Sequence, residues 1–544
     1  MLKTSSFILN TSLLMFTAVT TVNLAHAQEE DQFDTKFVKA DYNIACYYYD
    51  TNNNATSDSP SLMLPSTNIL TMGAKINYYW SVDSDSVLAR KTILTGKIID
   101  GFFVEENLSY ADIENRCKLA IKKGTFLSPS KSTYKLYEFK ASTSSFDGYE
   151  YPIQFLKGQS TQTKIKKVVI FGDSLSDNGN LKRWTKIFPY YPFWHGRFAD
   201  GMVWNDYFTD RTHLPILNFA VGGSKTEGSN DYFLEGLPNK YITGIRNIIT
   251  GNSKQYIDKY LTNYLTSDSY ETKNTKISNS DETLFVIWIG ANDYLEKFEN
   301  QKSGIEFFEN PDEVGHANYV YKRTVNNIID QIKILHNSGA KQFVVMNLPD
   351  IGKSPVVYES NYNKYSDDHK NKNEFSSKLT ELINKHNFYL RSSLKLLQDQ
   401  LGNTINIQTI DIDDYFSRIM NNESFDDKSY FNYGFDQINT KYLIPGNNDK
   451  YLQDLCYRGG YFKAAFTKIG PETVQFAIDN NNCVDKNGDR NKLAIFWNSP
   501  HPTSYAQCWI GYAFEKKLGE VGLVNVEKID MPKYMNYCIS NLKK

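Results

Sequence analysis

The sequence predicts an α/β protein, a parallel sheet covered on both faces by helices, with a small α+β domain ahead of it. Two observations predict this. After residue 165, short apolar runs without a period of two alternate with helix-patterned segments: Val168–Phe171, Ile216–Ala220, Leu284–Ile289, Phe343–Met346, Ile405–Ile410 and Leu493–Trp497. Strands buried on both faces read this way, and strand–helix alternation builds a parallel sheet. Before residue 160 the pattern differs. Tyr42–Tyr49 and Ile98–Val104 are short, aromatic and β-branched, as strands are, and Tyr110–Lys123 is helix-like.

Three segments follow, in chain order. Residues 1–27 read as an export signal: Lys3 gives a positive start, Phe7–Val22 is mostly apolar, and Ala25-His26-Ala27 sets small residues before a cleavage point. Asn10, Thr11 and Ser12 interrupt the apolar run, which falls short of the ~20 residues needed to span a bilayer. A secreted protein is expected. Residues 28–160 form the accessory domain, closed by the polar Lys157–Lys164 segment, and residues 161–544 form the large domain. In the latter, Phe375, Leu379, Leu382, Ile383, Leu390 and Leu394 recur at helical spacing, as do Val325, Ile328, Ile329 and Ile332. Stretches 226–282 and 420–491 are polar and read as surface insertions.

Composition narrows the function. The 60 Lys+Arg against 62 Asp+Glu leave no basic excess, which excludes nucleic-acid binding by phosphate neutralisation. The six cysteines, an even number in an exported chain, are expected to pair. Proximity along the chain gives Cys46–Cys117, Cys456–Cys483 and Cys508–Cys538. None has zinc-ligand spacing, and no metal or organic cofactor is called for.

In an open parallel sheet, ligands sit outside the carboxyl ends of the strands. The first run ends Phe171-Gly172-Asp173-Ser174, which sets a hydroxyl where the strand is expected to hand over to a helix. The second ends Val221-Gly222-Gly223, where backbone N–H can approach a ligand. The third leads to Gly290-Ala291-Asn292-Asp293, a neutral amide donor, and the last to Asn498-Ser499-Pro500-His501, an imidazole. A Gly-Asp-Ser turn, an Asn after a strand or a single His is commonplace. Together at strand ends they supply nucleophile, oxyanion donors and base, the parts of acyl transfer.

These same residues, FGDSLSDNGN at 171–180, NFAVGG at 218–223, GAND at 290–293 and HPT at 501–503, resemble the four blocks of the GDSL, or SGNH, lipolytic hydrolases. The resemblance implies a flavodoxin-like α/β/α sandwich. It also implies Ser174 as nucleophile, His501 as base, and an oxyanion hole of Ser174 N–H, Gly223 and Asn292, with Gly222 as the alternative to Gly223. The leader, Cys46 in an aromatic stretch, Cys117 and then the serine block look like the secreted thermolabile hemolysins, which are lecithin-dependent phospholipases. The related glycerophospholipid:cholesterol acyltransferases share the blocks. This implies a phospholipid or other acyl-ester substrate and peripheral contact with lipid surfaces.

One position departs from the family pattern, where Asp-x-x-His is usual and Asn498 stands here. A carboxylate at that place fixes the tautomer of the base and stabilises the imidazolium. Four readings stay open: Asn498 as a neutral partner of His501; an acid among Asp411, Asp413 and Asp414 reaching His501; a bound chloride near His501; or a weakly active or inactive relative. The segment Phe188–Trp194, with five aromatics among its seven residues, either lines an acyl-chain groove, dips into lipid, or packs in the core.

Overall fold

A computed structural model describes residues 163–181, 196–212, 216–228, 250–264, 280–300, 307–358, 369–436, 492–525 and 530–542, with isolated positions between them and short segments within 42–155. The export signal, Cys46–Cys117, the Tyr110–Lys123 helix and most of both insertions lie outside the described residues. The strands are β1 (Tyr42–Asp50), β2 (Asn77–Trp80), β3 (Ala89–Lys91), β4 (Phe103–Val104), β5 (Tyr134–Ser142), β6 (Ile153–Phe155), β7 (Lys167–Gly172), β8 (Ile216–Asn218), β9 (Thr283–Trp288), β10 (Gln342–Met346), β11 (Asn406–Ile410), β12 (Phe496–Asn498) and β13 (His501–Pro502). The α-helices are α1 (Trp204–Thr212), α2 (Ser253–Lys259), α3 (Ala291–Asn300), α4 (Ala317–Asn337), α5 (His369–Leu401), α6 (Ile412–Asn421), α7 (Ser504–Glu520) and α8 (Met531–Asn541).

Strands β8, β7, β9, β10 and β11 run parallel in that spatial order. This is the flavodoxin-like order 2-1-3-4-5, and its direction of winding reverses between β7 and β9. The apolar runs are explained by alternation onto two cores. Val169, Phe171, Phe285, Ile287, Phe343 and Val345 pack with α2, α4 and α5. Val168, Ile170, Leu284, Val286, Val344 and Met346 pack with α1, α6, α7 and α8. Both expected helical stripes are found, inside α4 and α5.

The sixth expected strand is a correction. Leu493–Trp497 does not join the parallel sheet. Its end becomes β12, which pairs antiparallel with β13 in a separate hairpin, Asn498 opposite His501. The hydrogen bonding of the main sheet also runs past residue 160: β6 pairs antiparallel with β8, Ile153 opposite Leu217, and β5, β1, β2 and β3 continue outward. Two expected disulfides are present, Cys456–Cys483 and Cys508–Cys538, the latter joining α7 to α8. No helix among the described residues is long and apolar enough to cross a membrane.

Candidate active site

Ser174 follows β7 in a tight turn rather than in the first turn of a helix. The N–H groups of Ser176 and Asp177 both donate to the Asp173 carbonyl, and Leu175 N–H donates to the Asp173 carboxyl. Burial raises that carboxyl to about 7, against the lowering effect of Leu175 N–H; nearby Asp293 and Asp177 add to the rise.

Asp177 binds the serine turn to its neighbour. Its Oδ1 accepts from the N–H groups of Gly179 and Asn180, and its Oδ2 from those of Leu181 and Gly222. Asn180 Nδ2 donates to the carbonyls of Asn218 and Ala220. The sequence motif contained both residues without indicating this role. A carboxylate two positions before a Gly-Asn pair was the available signal.

These bonds also separate the two glycines. Gly222 N–H is used by Asp177 at 2.8 Å, and a Cβ on Gly222 would lie 2.2 Å from the Phe198 ring. Gly223 has φ +83, a left-handed conformation that glycine adopts without strain, and its N–H has no acceptor among the described residues. Asn292, in the first turn of α3, donates Nδ2 to the Ser224 carbonyl at 2.9 Å, beside Gly223; its second N–H remains for a ligand. Asp293 holds the same loop from below, accepting from Thr226 N–H and Oγ1–H.

The hairpin brings the imidazole. His501 Nε2 lies 2.7 Å from Ser174 Oγ, and Nδ1 lies 2.8 Å from Asn498 Oδ1. With the amide oxygen as acceptor, Nδ1 carries the proton and Nε2 accepts from the serine hydroxyl. Burial lowers His501 to about 3, so the ring is neutral at pH 7. Phe198 packs against the imidazole with centroids 5.0 Å apart. Behind the hairpin, Cys456 and Tyr457 donate N–H to the carbonyls of Phe496 and Trp497, and the Tyr457 and Trp497 rings stack at 5.4 Å. Phe193, from the aromatic segment, is buried in this cluster with Cys456 and Cys483. For that residue the core reading is the observed one.

Of the acids considered for the third position, Asp411 caps α6 and pairs with Asn347 and Arg391, while Asp414 pairs with Arg418. Asp413 faces a pocket, and burial, with Asp350 and Asp411 beside it, raises it to about 6. The atom at Nδ1 is Asn498 Oδ1. Among the described residues no three His, Cys, Asp or Glu side chains stand together in a way that could hold a metal ion. Chemically, the arrangement can deprotonate a hydroxyl and stabilise an oxyanion beside it.

Residues 168–514 match the model of the GDSL-like lipase/acylhydrolase family. A thermolabile hemolysin of Vibrio parahaemolyticus is 32% identical over 196 residues, 35% of this chain and 36% of that protein. A phosphatidylcholine-sterol acyltransferase of Aeromonas hydrophila is 25% identical over 274 residues, 49% of this chain and 64% of that one. An inactive GDSL esterase/lipase-like protein of Arabidopsis thaliana is 26% identical over 234 residues, 40% of this chain and 52% of that one. The matches thus span between about a third and just under two thirds of these relatives. With the family match covering well over half its length, this chain belongs to the GDSL-like lipase/acylhydrolase family.

Proposed function

We propose that the chain is a secreted serine ester hydrolase acting on phospholipid acyl esters through an acyl-enzyme on Ser174. The observation that carries the reading is the 2.7 Å contact between His501 Nε2 and Ser174 Oγ, within reach of direct proton transfer. His501 takes the hydroxyl proton as Oγ attacks the ester carbonyl. Ser174 N–H, Gly223 N–H and Asn292 Nδ2 receive the oxyanion. His501 then protonates the leaving alcohol, and a water, activated by the same ring, releases the acid. Asn498 orients the ring as a neutral acceptor, without the charge that would stabilise an imidazolium. The phospholipid assignment is supported by what the hemolysin and acyltransferase relatives are called.

Transfer of the acyl group to a sterol is the second reading, favoured by the acyltransferase relative. A weakly active or inactive chain is the third, favoured by the uncharged Asn498. One experiment separates all three: fluorophosphonate labelling of Ser174, with fatty-acid release from phosphatidylcholine vesicles with and without cholesterol. The hydrolase reading expects labelling and free fatty acid, whereas cholesteryl ester as main product selects the acyltransferase. Absence of labelling selects the inactive relative. Faster turnover of soluble short p-nitrophenyl esters than of vesicles removes the phospholipid assignment.

A further inference from the structure

A pocket open to solvent adjoins all three catalytic segments. Leu175 follows Ser174, Ala291 precedes Asn292, and Pro500 and Pro502 flank His501, and all four line it. Leu295, Val356 and Phe496 supply further apolar wall. On α6, Asp413, Phe416, Ser417 and Met420 line it at the i, i+3, i+4, i+7 spacing of one helix face.

The charges of the pocket decide what fits. Its ionisable groups are Asp350, Asp413 and Lys353, and the Lys353 ammonium is already 3.2 Å from Asp350. A phosphate here would meet two carboxyls and a cation already engaged. The upward shift of Asp413, caused by burial and then by its acidic neighbours, reflects that cost of adding negative charge. A hydrocarbon chain adds no charge to this set and gains burial against the apolar walls.

We propose that this pocket binds the acyl chain of the substrate, with Phe416 and Met420 setting the chain length it accepts, while a phosphate-bearing leaving group stays outside. This rests on the ester-hydrolase reading and adds to it the orientation of the substrate. Half-buried Met420, in the last turn of α6, is the side chain to change. In the full chain, Met420→Trp shortens the pocket and Met420→Ala extends it.

The test measures kcat/KM on p-nitrophenyl esters from acetate to dodecanoate, and on acetate esters of increasing alcohol length. Met420→Trp is expected to lower the decanoate-to-acetate ratio on the order of tenfold, and Met420→Ala to move the optimum to longer acyl chains. The alcohol series keeps its order in both. Acyl ratios within about twofold of the unaltered chain overturn the proposal, as does a shift in alcohol preference instead. Should Met420→Trp not fold, Met420→Ala alone decides between these outcomes. If the unaltered chain turns over no ester and Ser174 takes no fluorophosphonate, the hydrolase reading fails and the pocket assignment with it. An active enzyme with an unmoved acyl profile refutes only the pocket.

Discussion

Asn498 gives His501 an uncharged acceptor, and two measurements bear on the consequence. The buried ring has its pKa lowered to about 3, so the acid limb of kcat/KM is expected well below the ordinary histidine value near 6.5. In Asn498→Asp the anion favours the imidazolium and raises that pKa, moving the acid limb to higher pH. Turnover at neutral pH is expected to be unchanged or raised, since a negative charge now stabilises the developing cation. A large fall would show that the amide itself is required. For Asn292→Ala, loss of one oxyanion donor is expected to lower kcat about 10²–10³-fold while the protein stays folded, and a loss below about threefold removes it from the hole. Ser174, His501 and Asn292 were legible because each follows a recognisable run of sequence. The choice between Gly222 and Gly223 was not, because only a partner 45 positions away, Asp177, distinguishes their N–H groups.

The turn between β8 and the Asp293-anchored loop is held by tight packing, which gives a steric prediction. In Gly222→Ala the added methyl carbon lies 2.2 Å from Phe198, the ring that also packs against His501. Something must shift, and overpacking costs about 1–3 kcal/mol. A lower denaturation midpoint together with a fall in kcat larger than any rise in KM is expected; an unperturbed enzyme would mean that Phe198 moves freely. Most strands were legible because alternate residues face two different cores, leaving no polar positions between them. Leu493–Trp497 has the same composition yet forms a hairpin. Its apolarity is divided: Ala494 and Trp497 pack around the Cys456–Cys483 disulfide, while Leu493, Ile495 and Phe496 pack on the core with α6, α7 and α8, contacts that no local pattern encodes.

Two buried histidines contribute to the pH dependence of stability. His386, on α5, contacts the Tyr294 hydroxyl through Nδ1 at 2.7 Å, and burial lowers it to about 3, as for His501. Between pH 6.5 and 3 the unfolded chain takes up protons that these rings refuse, so their contribution to stability is present above 6.5 and lost as pH falls. Asp173, raised to about 7, acts in the opposite direction, its contribution weakening as pH rises through that window. Removing one group isolates its sign: His386→Gln is expected to lose less stability than the unaltered chain between pH 7 and 4.5, measured by denaturant midpoints. An equal loss would refute the buried neutral ring. A parallel sheet followed from strand–helix alternation, with five of the six expected runs joining it, and its flavodoxin-like arrangement was implied by the family resemblance. The sheet's continuation through β6 was not legible, because one antiparallel pairing carries no sequence signature at the junction. The hydroxyl and the imidazole that touch are 327 positions apart. During synthesis, therefore, Ser174 leaves the ribosome long before His501, and the contact between them must wait for the hairpin to dock. A ribosome stalled before residue 501 would carry a serine without its imidazole, so the order of translation itself delays assembly of the site until the hairpin is made.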